Sequence, residues 1–137
     1  MNYILLIITF LTSLGSTIDT RSKLVIKVTD IKSNSGQLII GLHNSRLDFP
    51  KKAYLKKTAL ISEHKATVVF ENIPRGTYAA SVLHDENKNG KIDFNFFHYP
   101  VEKAAFSNNA KGFLGPPDFE DAKFTLKKNT TITISMR

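Results

Sequence analysis

The chain has no cysteine and no tryptophan. Without thiols there is no disulfide to staple the fold and no attachment point for a lipid, so stability must come from a packed core, helped at most by a metal. Without tryptophan, a carbohydrate-stacking surface loses its usual main component. Acidic residues are scarce beside basic ones, 12 against 19, for a formal net charge of +7. No glycine-rich phosphate loop or dinucleotide fingerprint occurs anywhere in the sequence. The longest apolar run, Ile4 to Leu11, falls well short of the roughly 18 residues that read as a membrane span.

That short run has a different reading. Residues 1–15 carry no charged side chain, and the apolar run gives way to Thr12-Ser13-Leu14-Gly15, whose small residues suit cleavage after Gly15. Residues 1–15 are therefore expected to be a signal peptide and 16–22 a flexible mature N-terminus. Residues 23–137 form one domain, with no transmembrane span left after processing. An exported chain, periplasmic or extracellular, does not meet nucleic acid. Its excess of lysine, densest at Lys51, Lys52, Lys56 and Lys57, suits an anionic cell-envelope polymer, another envelope protein, or simply a solvated face.

The remainder reads as strands. Leu24, Ile26 and Val28 alternate with Val25, Lys27 and Thr29. After the turn Ser33-Asn34-Ser35-Gly36, Leu38, Ile40 and Leu42 repeat the pattern, so the first two strands are expected to form a hairpin. Residues 51–62 fit either a helical turn or an edge strand. Ala66 to Phe70, then Tyr78, Ala80 and Val82 beyond the turn Pro74-Arg75-Gly76, and finally Phe124 with Leu126 and Ile132 with Ile134, complete about seven strands. The expected fold is all-β, an antiparallel immunoglobulin-like or transthyretin-like β-sandwich. It carries one long loop insert over 85–121, ordered because it is rich in Phe, Pro and Gly.

The insert opens on His84-Asp85-Glu86-Asn87-Lys88-Asn89-Gly90-Lys91-Ile92-Asp93. Alternating carboxylates and amides around a glycine aim hard oxygens at one point, which suits Ca²⁺. Asp85, Asn87, Asn89, the backbone carbonyl of Lys91, and Asp93 fall at the first, third, fifth, seventh and ninth positions of such a loop. The twelfth, where a bidentate glutamate belongs, is Phe96; Glu102 or Asp121 would have to fold back in its place, with Glu86 a nearer but worse-aimed candidate. Such a site is expected to be weak and structural. The same residues also favour tight turns without any ion.

The order His-Asp-Glu-Asn-x-Asn-Gly-Lys-x-Asp at 84–93, Pro-x-Glu at 100–102, Phe-Ser-Asn-Asn-Ala at 106–110 and Gly-Pro-Pro-x-Phe-x-Asp-Ala-x-Phe at 115–124 resembles an uncharacterised family of exported bacterial proteins, domain of unknown function 2141 (DUF2141). The resemblance implies a signal peptide and a β-sandwich and brings no established activity. His98 and Ala105 stand where that family usually has glycine.

Other candidates are weighed against plain packing. Asn108 and Asn109 are expected to hydrogen-bond the insert's backbone. Phe106, Phe113 and Phe119 are expected to plug it onto the sandwich, and Phe94, Phe96, Phe97 and Tyr99 to be buried. His84, Asp85 and Ser107 are the residue types of a hydrolase triad, which makes a small envelope hydrolase or ligand-processing enzyme the alternative to a non-enzymatic envelope module. His43, His84 and His98 lack zinc-pair spacing and are expected to be held by hydrogen bonds.

Overall fold

The computed structural model describes residues 18–96, 98 and 100–137. The expected signal peptide, together with Phe97 and Tyr99, lies outside them. The described residues form eight strands: β1 (Arg21–Thr29), β2 (Gln37–His43), β3 (Leu55–Leu60), β4 (Ala66–Pro74), β5 (Gly76–Asp85), β6 (Ala104–Phe106), β7 (Phe124–Leu126) and β8 (Thr130–Ser135). One short helix, α1 (Phe119–Ala122), and a 3-10 turn at Ser107–Asn109 lie between β6 and β7. Among the described residues no helix is long and apolar enough to cross a membrane.

The strands form a sandwich. One sheet has the order β4-β1-β8, the other β3-β2-β5-β6, with β7 pairing the start of β5. Alternation decides which side chains enter the space between the sheets. Leu24, Ile26 and Val28 of β1, Val68 and Phe70 of β4 and Ile134 of β8 are buried together with Leu38, Ile40 and Leu42 of β2 and Ala80 and Val82 of β5. Lys23 and Lys27, between the buried β1 residues, face solvent. Of residues 51–62, Leu55–Leu60 form the edge strand β3, and the residues before it complete the turn from β2.

Three expectations change. The first two strands are not a hairpin: β1 pairs β4 and β8, while β2 pairs β3 and β5. The turn after β1 therefore carries the chain from one sheet to the other, as a two-layer fold permits and a local hydrophobic pattern does not reveal. Nor is every pair antiparallel, because β8 runs parallel to β1 from Leu24↔Thr130 to Thr29↔Ser135. Order also begins earlier than residue 23, since Arg21 and Ser22 already pair with Pro74 and Ile73.

The 85–121 insert is less irregular than expected. It returns to the sheet as β6, which pairs Ser81, Val82 and Leu83 of β5, and then enters the 3-10 turn and α1. Asn108 donates from its amide to the carbonyls of Asp121 and Lys123, and the Asn109 amide oxygen accepts from the Ser135 N–H. Both asparagines take left-handed backbone angles, at φ 59° and 49°, a conformation their short polar side chains tolerate. Asn108 thus holds the end of the insert, as expected, whereas Asn109 ties it to β8 instead. His98 takes the same conformation, at φ 62°, at a position where glycine would be free to do so.

Candidate cation loop and the outer face of the second sheet

β5 ends by delivering Asp85 into the loop. Gln37↔Asp85 closes the β2–β5 register, and Asp85 is fully buried. Its carboxylate accepts from the Gln37 amide at 2.9 Å, from Gly90 N–H at 2.9 Å and from Asn89 N–H at 3.1 Å. Burial pushes the carboxyl's pKa up, but the bonds from Gln37 and from the N–H groups of Gly90, Asn89 and Lys88 outweigh it. The net effect holds Asp85 below the ordinary carboxylate range.

The other residues of the set converge on Asp93. Asn87 donates to one of its oxygens at 2.6 Å and Asn89 to the other at 2.8 Å. The Asn87 and Asn89 carbonyl oxygens accept from the N–H groups of Asn89 and Lys91. These are local Asx-type turns of the kind such sequences favour. Of the candidates for the missing last position, Glu102 arrives, Asp121 does not, and Glu86 is exposed with its carboxylate 3.8 Å from His84 Nδ1. Glu102 is buried, and its two oxygens accept from Glu86 N–H at 3.1 Å and Asp93 N–H at 3.2 Å. Asp121 sits in α1, where its carbonyl is held by Asn108. Carboxylate oxygens of Asp85, Asp93 and Glu102 border the loop, which suits a hard cation, but Asn87 and Asn89 turn their NH₂ groups toward Asp93. Among the described residues, however, no three His, Asp or Glu side chains stand together as a metal-binding group, so any ion would depend on the amides and on Lys91's carbonyl.

The triad is not assembled. Ser107 is buried, with its hydroxyl accepting from Ala80 N–H at 2.8 Å and donating to the Ala122 carbonyl. Ala80 and His84 are four residues apart on one strand, a separation of about 13 Å. His84 in turn donates from Nε2 to the Ser35 carbonyl at 2.8 Å. Ser107 therefore braces the insert against β5. It satisfies a buried N–H that would otherwise cost about 1–3 kcal/mol.

The aromatic expectations divide. Phe106 and Phe119 do pack onto the sheet, each edge-on to Phe49. Phe94, Phe96 and Phe113 are exposed, the last to 93 %. Apolar character predicted burial there, but the insert's closing contacts are hydrogen bonds, and they leave these rings on its outer side.

Sequence reasoning missed the outer face of the second sheet. His43 is buried, with Nδ1 at 3.2 Å from the Lys52 carbonyl and Nε2 at 2.8 Å from the Ser81 hydroxyl. Phe49 packs edge-on against its ring. Because a carbonyl can only accept, Nδ1 carries the proton, and Nε2 accepts from Ser81. Burial pulls the His43 pKa down, opposed by the bond to Lys52. The unfolded chain then takes up a proton near pH 6.5 before the folded one does. Stability is expected to fall as pH drops from about 6.5 toward the folded value and to be flat just above that window. His43→Gln should flatten the slope of melting temperature against pH between 7.5 and 5, and an unchanged slope would remove the buried neutral imidazole from the account.

Fold and loop together define a two-sheet β-sandwich whose long insert is tied to its second sheet by a carboxylate-and-amide loop. The chain belongs to the family described as an uncharacterized protein conserved in bacteria (DUF2141), whose model matches residues 26–133. That span holds the whole candidate loop, Ser107 and the His43–Ser81 pair. No curated protein and no solved structure matches the chain.

Proposed function

We propose that this protein is an exported, non-enzymatic module of the bacterial cell envelope whose 85–93 loop takes up one Ca²⁺ weakly, as a structural ion. Asp85, Asn87, Asn89, the Lys91 carbonyl and Asp93 would hold it, with Glu102 in place of the absent twelfth-position ligand. The observation that supports this reading most is the arrival of two buried carboxylates on one short loop, Asp85 from the end of β5 and Glu102 from the segment just before β6. Carboxylates are rarely buried unless paired or ligating. The net charge of +7 suits an anionic envelope polymer as the partner, and its contribution is to association rather than to the fold.

With few charged ligands, a Kd near 10⁻⁴ M is expected. Millimolar Ca²⁺ would then add about 1.4 kcal/mol, raising the melting temperature by roughly 5 °C over an EDTA control. Mg²⁺ should do less, since it demands a tighter octahedral shell. Asp93→Asn should abolish the Ca²⁺ response while the protein stays folded. A melting temperature indifferent to Ca²⁺ would leave the loop closed by its own hydrogen bonds to Asp85, Asp93 and Glu102 and end the ion reading.

A further inference from the structure

On the outer face of the second sheet lies a groove of about 360 Å³, within the range of small-molecule sites. Ser81, Leu83 and Phe106 form its floor, and Pro50, Ile92 and Pro116 stand around it. Its walls come from three separate stretches: the segment after β2, the first half of the insert, and the return toward α1. The lining is mainly apolar, and Ser81 is a hydroxyl on its floor.

That hydroxyl is held in one state. The Lys52 carbonyl keeps the proton of His43 on Nδ1, so Nε2 accepts a hydrogen bond from the Ser81 O–H. The Ser81 oxygen is left with lone pairs to offer and no proton to give. Gly41, directly opposite Ser81 in the register, is what makes room for the pair: a Cβ there would stand 2.8 Å from the Ser81 oxygen and 3.0 Å from His43 Nε2. Glu102 also borders the groove, with its negative charge unopposed by any lysine in the lining, which disfavours an anion.

We infer that this groove binds an uncharged, largely apolar small molecule through a single hydroxyl or N–H donated to Ser81. The ligand's apolar body covers Leu83 and Phe106. The site does not depend on the loop holding an ion.

N-phenyl-1-naphthylamine, an apolar fluorophore with one N–H, is a suitable probe, titrated into the purified protein in EDTA so that failure of the calcium reading cannot affect the result. Saturable one-to-one binding is expected. Ser81→Ala should weaken it about fivefold, the loss of one neutral hydrogen bond. Ala104→Trp, at an exposed position of the groove wall, should fill the space and abolish binding without changing the melting temperature. Its sulfonated analogue, 8-anilinonaphthalene-1-sulfonate, should displace the probe poorly. No saturable binding, equal affinity in Ser81→Ala, binding that survives Ala104→Trp, or efficient displacement by the sulfonate would each overturn the inference.

Discussion

Gly36→Ala is expected to cost about 4 kcal/mol of stability, combining backbone strain with a steric clash. Gly36 sits at φ +79°, where an L-residue costs roughly 1–2 kcal/mol. The larger part comes from what a side chain would meet. A Cβ at Gly36 would lie 2.3 Å from the Asp85 carbonyl oxygen and 2.6 Å from Glu86 Cα. Both atoms are backbone, so no rotamer change relieves the contact, and the start of the 85–93 loop has to move. Gly90→Ala is the control. Gly90 has a similar φ of +75° but nothing within 4 Å of its would-be Cβ, so it should show the conformational cost alone. Urea denaturation of both variants measures the difference. If Gly36→Ala loses no more than Gly90→Ala, the turn after β1 does not pack against the loop as described.

Asp85→Ala should lower the melting temperature by on the order of 10 °C, because it breaks three hydrogen bonds to one carboxylate at once. The Gln37 amide and the Gly90 N–H lose their acceptor, and the Asn89 N–H is left with the Asn87 side-chain oxygen alone. Asp85→Asn keeps the shape but turns an NH₂ toward N–H groups, so it should be damaging too, though less so. The pH dependence separates a charge effect from a packing effect. The folded carboxyl titrates below its ordinary value, so the unfolded chain binds the proton first as pH falls. The stabilisation is therefore complete above about pH 4 and is lost as pH falls through the folded value. Melting curves of the wild type and Asp85→Ala should converge in acid. A gap that persists unchanged to pH 2 would mean that the contact is not one between a carboxylate and its donors.

The two variants act on one junction from opposite sides, and that junction shows how much the amino-acid order reveals. The loop residues Asp85, Asn87, Asn89 and Asp93 were legible because their interactions span two to six positions, a distance at which side-chain type and spacing nearly dictate geometry. Glu102 was legible only as one of three candidates, beside Asp121 and Glu86. What selects it over Asp121 is the pairing of β6 with β5, which sets Glu102 two residues before β6 and beside the loop, while Asp121 is carried off into α1. Gln37 carried no local signal at all. It reaches Asp85 across 48 residues because the β2–β5 register places them opposite each other.

The same division runs through the hydroxyl and imidazole groups. His84, Asp85 and Ser107 suggested a triad by residue type. Ser107 instead returns to Ala80, four residues along the strand from His84. The His43–Ser81 contact, 38 residues apart, was invisible in sequence for the reason Gln37 was. A serine and a histidine on separate strands give no sign of facing each other until the register is known.

Alternating apolar residues sufficed to establish an all-β body, and turn-forming amides and carboxylates sufficed to establish the oxygen-rich loop. Both are short-range consequences of strand pleat and backbone angle. Tertiary structure alone decided that β8 runs parallel to β1, that Glu102 closes the loop and that a groove opens beside Ser81. These outcomes come from burying one face of each sheet against the other, an energy shared over the whole core, and no single stretch of the chain encodes it.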